Sequence, residues 1–364
     1  MCPLQRARPR AGADAAATPS SSPSRPRPCP FIRGELAQLP RGRVNYTLRG
    51  PAGAPLVACV HGLHGSLSTF ASLEPQLVAF GFRVLAFDLY GFGLSAAPRG
   101  LLDHRGYAEQ LASLLDALVG SQEPVLLLGF SMGGLVAVEF ASRWPQRVRR
   151  LLLVAPAGLL SREDAPCQLL LRCLRGRCGC CLQHLAAGLM CCCGCVVARV
   201  LSGDRHARTF EPDVREPEKF TEHSQRTLAQ FRWDVRRSVN SYLRVLRLMP
   251  LWEGDSEELY AWLAGSGVPV MFLWGDDDQT VPWSDAEEAV GRLFGPGGAT
   301  SCVLLHGAGH GMVHEDAFEV AKHAAAWLGD SQDPAWKQCL QRFLVPRPEE
   351  GEPGAAVVGS PAEV

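Results

Sequence analysis

Net charge is almost absent from this sequence: 36 lysines and arginines stand against 37 aspartates and glutamates, a balance of −1. There is no global basic field to draw nucleic acid, and none is expected as a partner. An apolar stretch near the start is missing too. Residues 1–30 combine Pro, Ser, Ala and Arg with almost no large apolar side chains, so no secretory h-region follows the basic residues. Such a segment cannot offset the entropy of ordering itself and reads as a disordered arm. Residues 345–364 read in the same way as a solvated, disordered tail. Arg6, Arg8 and Arg10 against the single acid Asp14 leave a mitochondrial transit segment as the alternative to a cytoplasmic, membrane-associated location. Cysteine is plentiful, fourteen in all, but it is not spread in pairs: nine fall between Cys167 and Cys195. That is a poor disulfide framework and points to a reducing compartment. CGCC and CCCGC offer thiolates to zinc, yet the expectation is no metal and no organic cofactor.

What the chain does contain is a series of short, near-continuous apolar runs: LVACV (56–60), RVLAFDL (83–89), PVLLLGF (124–130), RLLLVA (150–155), VPVMFLWG (268–275) and SCVLL (301–305). Strands covered on both faces read this way. Between them lie helix-length segments at 67–79, 107–119, 133–143, 285–293 and 313–328, and no internal repeat is evident. The fold class expected is α/β, a mostly parallel sheet covered by helices on both faces. The alternation breaks once. From Leu159 to Gly267 no strand-like run appears while helices are expected at 182–201, 220–231, 234–248 and 257–264, too long a stretch to be a loop. Residues 31–158 and 268–344 are therefore assigned to an α/β core, and 159–267 to a helical cap that carries the cysteine-rich segment.

GFSMG, Gly129 to Gly133, follows PVLLL and precedes the apolar GLVAVEF. A strand turning abruptly into a helix, with small residues around a serine, fits a nucleophile elbow with Ser131 as the nucleophile. A serine needs a base. His310 stands on the glycine-rich loop GAGHG after the run SCVLL, and three aspartates, Asp276, Asp277 and Asp278, follow VPVMFLW. The chain order is serine, acid, histidine.

With these residues in place the chain resembles the α/β-hydrolase fold superfamily, in its branch of serine hydrolases with an inserted helical cap, over roughly Arg43 to Leu328. HGLHGS (His61 to Ser66) is similar to that family's HGxxGS loop, DLYGFGLS (Asp88 to Ser95) to its DxxGxGxS loop, and GFSMGG to its elbow. The resemblance implies Asp278 as the acid, from the spacing Gly275, Asp278, Pro282. It also implies an oxyanion hole from the backbone N–H groups of Leu63 and Met132, and a structural role for His61. A tyrosine at 90, where many relatives have proline, is a departure of little consequence.

The function implied is a serine ester hydrolase of carboxylesterase or lipase type, acting on a small-molecule or lipid-like apolar acyl ester. Leu182, Leu185, Leu189, Met190, Val196 and Val197 are available to line its pocket. Two alternatives stay open. One is a lipid acyltransferase on the same triad, toward which HxxxxE from His310 to Glu315 points. The other is a non-catalytic hydrolase-like interaction protein. Cys178 to Ala198 is a run of twenty-one uncharged residues, nominally long enough to span a bilayer, but a span there would part Ser131 from Asp278 and His310. Most of its cysteines read as small apolar packing. Cys191, Cys192, Cys193 and Cys195 are candidates for S-acylation beside Arg172, Arg175 and Arg177, giving a peripheral membrane contact through the cap.

Overall fold

The computed structural model describes residues 29–98, 100, 102–120, 123–161, 168–176, 178–192, 214–295, 300–329 and 356–358. Residues 1–28, expected to form most of the disordered arm, lie outside that set. A nine-stranded sheet runs through it in the order β1-β2-β4-β3-β5-β6-β7-β8-β9. The strands are β1 (Glu35–Leu39), β2 (Gly42–Arg49), β3 (Leu56–Val60), β4 (Arg83–Phe87), β5 (Val125–Phe130), β6 (Val148–Val154), β7 (Val270–Gly275), β8 (Thr300–Leu305) and β9 (Ala356–Val358). From β4 through β3, β5, β6 and β7 to β8 every pairing is parallel. Parallel neighbours require crossovers, and helices on the two faces supply them. All six residues of β5 and all six of β7 are buried, which is why those runs carry no polar alternation.

Both edges differ from the sequence reading. On one side β1 and β2 form an antiparallel hairpin across the two-residue turn Pro40–Arg41, with β2 antiparallel to β4. Neither strand was expected, because β2 buries Asn45 and Thr47 beside Val44 and Tyr46 and so shows neither an apolar run nor an alternation. On the other side Ala356–Val358, in the segment expected to be a solvated tail, pairs antiparallel with β8.

Helix α1 (Leu73–Ala79) packs with the helix Ala317–Leu328, while α2 (His104–Leu118) packs on α3 (Met132–Arg143). The insertion after β6 contains the helices Gln168–Arg175, Gly179–Cys192, Pro217–Trp233 and Val235–Leu248. Leu174, Val239 and Leu243 form an apolar cluster of its own there, with Leu182 against it. The helix Glu253–Gly265, grouped with the cap on sequence grounds, instead packs on α3. Tyr260 and Leu263 join the main core, and the Tyr260 hydroxyl donates to the Ala157 carbonyl at 2.7 Å. The chain leaves and re-enters the core at one place: Leu160 and Trp252 form a parallel bridge, Gly158 N–H donates to Leu251 O at 2.9 Å, and Glu253 N–H to Leu160 O at 2.8 Å.

Candidate active site

The carboxyl ends of β3, β4, β5, β7 and β8 converge, and open parallel sheets present ligand sites along that edge. At the end of β5 the chain turns through Ser131, whose φ of 53° and ψ of −123° lie outside the helical region. The turn is held by backbone bonds: Ser131 N–H donates to Val154 O at 2.9 Å, and Ser131 O accepts from Gly134 N–H at 2.9 Å and Ala157 N–H at 3.1 Å. Close packing explains the glycines around it. A Cβ on Gly133 would lie 2.1 Å from the Val60 carbonyl oxygen, and one on Gly129 would lie 2.7 Å from Gly133 O. The elbow therefore sits directly against β3 and the loop that follows.

Two loops flank Ser131. In the first, Gly62 lies so near the serine that an added Cβ would approach Ser131 Cβ to 2.9 Å. Leu63 follows it. Met132 is the first residue of α3, where a backbone amide has no intrahelical partner. His61 is fully buried, with Nδ1 against Gly62 O at 2.8 Å and Nε2 accepting Leu89 N–H at 3.0 Å. Those partners fix the Nδ1–H tautomer, and burial lowers its pKa to about 4. His61 is thus a neutral strut between the loops. In the second loop Asp88 is buried and accepts from Leu67 N–H at 2.7 Å, Leu94 N–H at 2.8 Å and Asn45 Nδ2 at 2.7 Å. Burial raises its pKa while those bonds and the charge of Arg237 oppose the shift. Gln110 completes the frame, donating to Asp88 O at 3.0 Å and accepting Tyr90 N–H at 2.8 Å.

His310 follows β8. Its Nδ1 lies 2.8 Å from Asp278 Oδ2, and its ring packs against Phe130, the residue before Ser131, at a centroid distance of 5.0 Å. Asp278 is buried, and its Oδ1 accepts Thr280 N–H at 2.9 Å and Val281 N–H at 2.8 Å. Of the three aspartates it alone meets His310. Asp276 is exposed and holds His306 Nδ1 and Gly307 N–H, each at 2.6 Å, and Asp277 is exposed as well.

Glu315 faces the cap. Its Oε2 accepts Arg215 N–H at 2.9 Å and Glu216 N–H at 2.7 Å, at the start of the helix Pro217–Trp233. A carboxylate there suits the positive end of the helix dipole, so HxxxxE describes a tether between core and cap. Beside it His223 of the cap stacks on His314 at 3.5 Å. Burial lowers His223 to about 4 and lowers His314 well below the ordinary histidine value, with His223, His310 and Arg226 adding to the shift of His314. The unfolded chain takes up these protons near 6.5, whereas in the folded protein His223 takes up its own only near 4 and His314 is held well below the ordinary histidine value. Stability is therefore full above about pH 6.5 and is lost as the pH falls toward 4. Thermal denaturation between pH 7 and 5.5 is expected to show a falling Tm, with a shallower slope in His223→Gln; a flat profile would contradict this.

The remaining expectations fare unevenly. Among the described residues no group of three His, Cys, Asp or Glu could hold a metal ion, and no helix is long and apolar enough to cross a membrane. Cys193 and Cys195 lie outside those residues, and Cys191 and Cys192 occupy the last turn of Gly179–Cys192. Arg177 also lies outside. Arg175 is not turned to solvent as a headgroup contact would need: it donates to Leu246 O at 3.2 Å and Met249 O at 2.7 Å, and it pairs with Asp255. Leu182 packs within the cap, and Leu185 is exposed. Val196 and Val197 fall outside the described residues. A cavity of about 120 Å³ lies instead against the two loops, lined by Phe31, His64, Phe92, Phe231, Trp233 and Arg237 among others.

Comparison with known proteins shows the family and the fold. The family model described as serine aminopeptidase S33 matches residues 53–317. An uncharacterized protein of Mycobacterium tuberculosis is 25% identical over 309 residues, covering 84% of each chain. The 1-acylglycerol-3-phosphate O-acyltransferase of Sus scrofa is 32% identical over 143 residues, 38% of this chain and 40% of that one. Among solved structures, a thermophilic esterase from Thermogutta terrifontis aligns with a TM-score of 0.60 at 22% identity, covering 82% of this chain and 98% of the esterase.

Proposed function

The chain belongs to the serine aminopeptidase S33 family of α/β-hydrolases, and on that premise we propose that it is a serine hydrolase that cleaves a carboxylic ester with an apolar, lipid-like acyl group through an acyl-enzyme on Ser131. The observation that carries the reading is the buried Asp278 carboxylate on His310 Nδ1, with the ring against Phe130, the last strand residue before Ser131. That bond fixes the imidazole with its proton on Nδ1, leaving Nε2 to take the Ser131 proton as Oγ attacks the ester carbonyl. The imidazolium so formed is stabilised by Asp278 and then protonates the departing alcohol. Backbone N–H groups of Leu63 and Met132 would hold the oxyanion, each such donor lowering the barrier by about 3 kcal/mol. Water, activated by the same imidazole, releases the acid. No step requires a metal or an organic cofactor.

The acyltransferase alternative draws on the Sus scrofa relative, but Glu315 is occupied by cap amides. Labelling with a fluorophosphonate, followed by turnover on esters of graded chain length with a lysolipid competing against water, decides between them. Free acid as the dominant product supports hydrolysis, and acyl lysolipid would overturn it.

S-acylation of Cys191, Cys192, Cys193 and Cys195, with peripheral membrane association from the cytoplasmic side, is part of the same proposal. Exposed thiols at Cys173, Cys178, Cys180 and Cys181 and the exposed Leu185 support an accessible, partly apolar cap edge. The variant with Cys191, Cys192, Cys193 and Cys195 changed to Ser should move from the membrane to the soluble fraction, and hydroxylamine should do the same to the native chain. Equal solubility and no hydroxylamine-sensitive label would return the stretch to packing.

A further inference from the structure

The two loops beside Ser131 are braced from above as well as by each other. From the cap helix Val235–Leu248, the Arg237 guanidinium reaches three carbonyls of the second loop: Gly91 O at 3.2 Å from Nε, Phe92 O at 3.3 Å from Nη2, and Ser95 O. One turn along, Ser241 Oγ donates to the same Gly91 O at 2.8 Å. Gly91 has a φ of 89°, and an added Cβ would meet Ser241 Oγ at 2.8 Å, so the seat leaves no room for a side chain. Gln230 of the preceding helix donates to Ser68 Oγ at 3.2 Å and accepts from Ser66 Oγ–H at 3.4 Å, at the end of HGLHGS and just past it. Tyr242 stacks on His64 of that loop, with centroids 4.6 Å apart.

These contacts form a chain of support. Arg237 gathers Gly91 to Ser95; Leu94 N–H of that segment binds Asp88, and the same carboxylate holds Leu67 N–H at the end of the first loop. We propose that Arg237 is a positioning residue for the loop carrying Leu63, acting through Gly91–Ser95 and Asp88, so that the seated cap helps to set the oxyanion geometry. The proposal rests on the serine-hydrolase reading for its effect on turnover, but not for its effect on the loops. Arginine suits the task because its rigid planar fork can serve several acceptors at once. A lysine ammonium is a single point charge on a flexible stem.

The test compares Arg237→Lys, Arg237→Gln and Arg237→Ala with the native chain. Misplacing a reacting or stabilising group by about 1 Å costs on the order of 100-fold in rate. Arg237→Gln should therefore lower kcat on a short ester and the fluorophosphonate labelling rate by that order, with KM nearly unchanged. Arg237→Lys should recover part of the loss, and millimolar methylguanidinium should restore labelling of Arg237→Ala. Hydrogen exchange should quicken at Leu67 and Leu94 in Arg237→Gln while β7 and β8 stay protected. Unchanged exchange at those two amides would overturn the proposal. So would a loss of activity that tracks exchange across the whole sheet and resists methylguanidinium. A native chain that takes no fluorophosphonate would defeat the serine-hydrolase reading alone, because the exchange measurement decides the loop coupling by itself.

Discussion

Ser131→Ala is expected to abolish fluorophosphonate labelling and ester turnover while leaving the fold intact. The bonds that hold the elbow run through its backbone, to Val154, Gly134 and Ala157, and the side chain makes no capping bond. Removal of Oγ therefore subtracts the nucleophile without loosening the turn. Ser131→Gly should be equally inactive but more stable, because a φ of 53° costs a non-glycine residue on the order of 1 kcal/mol. A rise in Tm for the glycine variant over the alanine variant would show that the elbow stores strain for the sake of presenting its hydroxyl. Labelling that persists in Ser131→Ala would move the nucleophile elsewhere.

The second large effect is expected at Asp278→Asn, through proton placement more than through lost charge. Thr280 and Val281 both donate to Oδ1, so an asparagine keeps its carbonyl oxygen there and puts its NH2 where Oδ2 meets His310 Nδ1. A donor facing Nδ1 forces the proton onto Nε2, and an imidazole in that tautomer cannot accept the Ser131 proton. The loss in kcat should be on the order of 10⁴-fold. Asp276→Asn disturbs only the His306 loop, and Asp277 is exposed, so each should cost less than about 10-fold by the ordinary standard of surface substitutions. Greater sensitivity at either position would mean that the acid acts from a different place in the loop.

Much of this candidate site was legible in the sequence because each of its chemical groups stands within five residues of the end of a sheet strand and has a glycine within three positions, a local pattern. Ser131, Asp278 and His310 could be read from stretches of ten residues. Arg237 could not: the carbonyls it binds lie about 140 positions away in the chain, and arginine on an amphipathic helix looks like a solvated face. Asn45 and Gln110 were hidden for the same reason, and Asn45 concealed its own strand by placing a polar residue inside the sheet. The helix Glu253–Gly265 was misplaced because helical periodicity reports that a face is buried, not which neighbour buries it. For the cysteine-rich segment, composition alone leaves packing and modification in competition.

The bridge between Leu160 and Trp252 makes the cap a detour that begins and ends at one point. A detour of this kind puts no tension on the strands it interrupts, and closing it costs an entropy that grows only slowly with its length. Such an insertion can lengthen, shrink or be exchanged over time without the sheet having to answer for it. What it cannot shed freely are the few side chains that reach back across the junction. The cap is then anchored through Arg237 and Gln230 on its own side and through Glu315 on the side of the core.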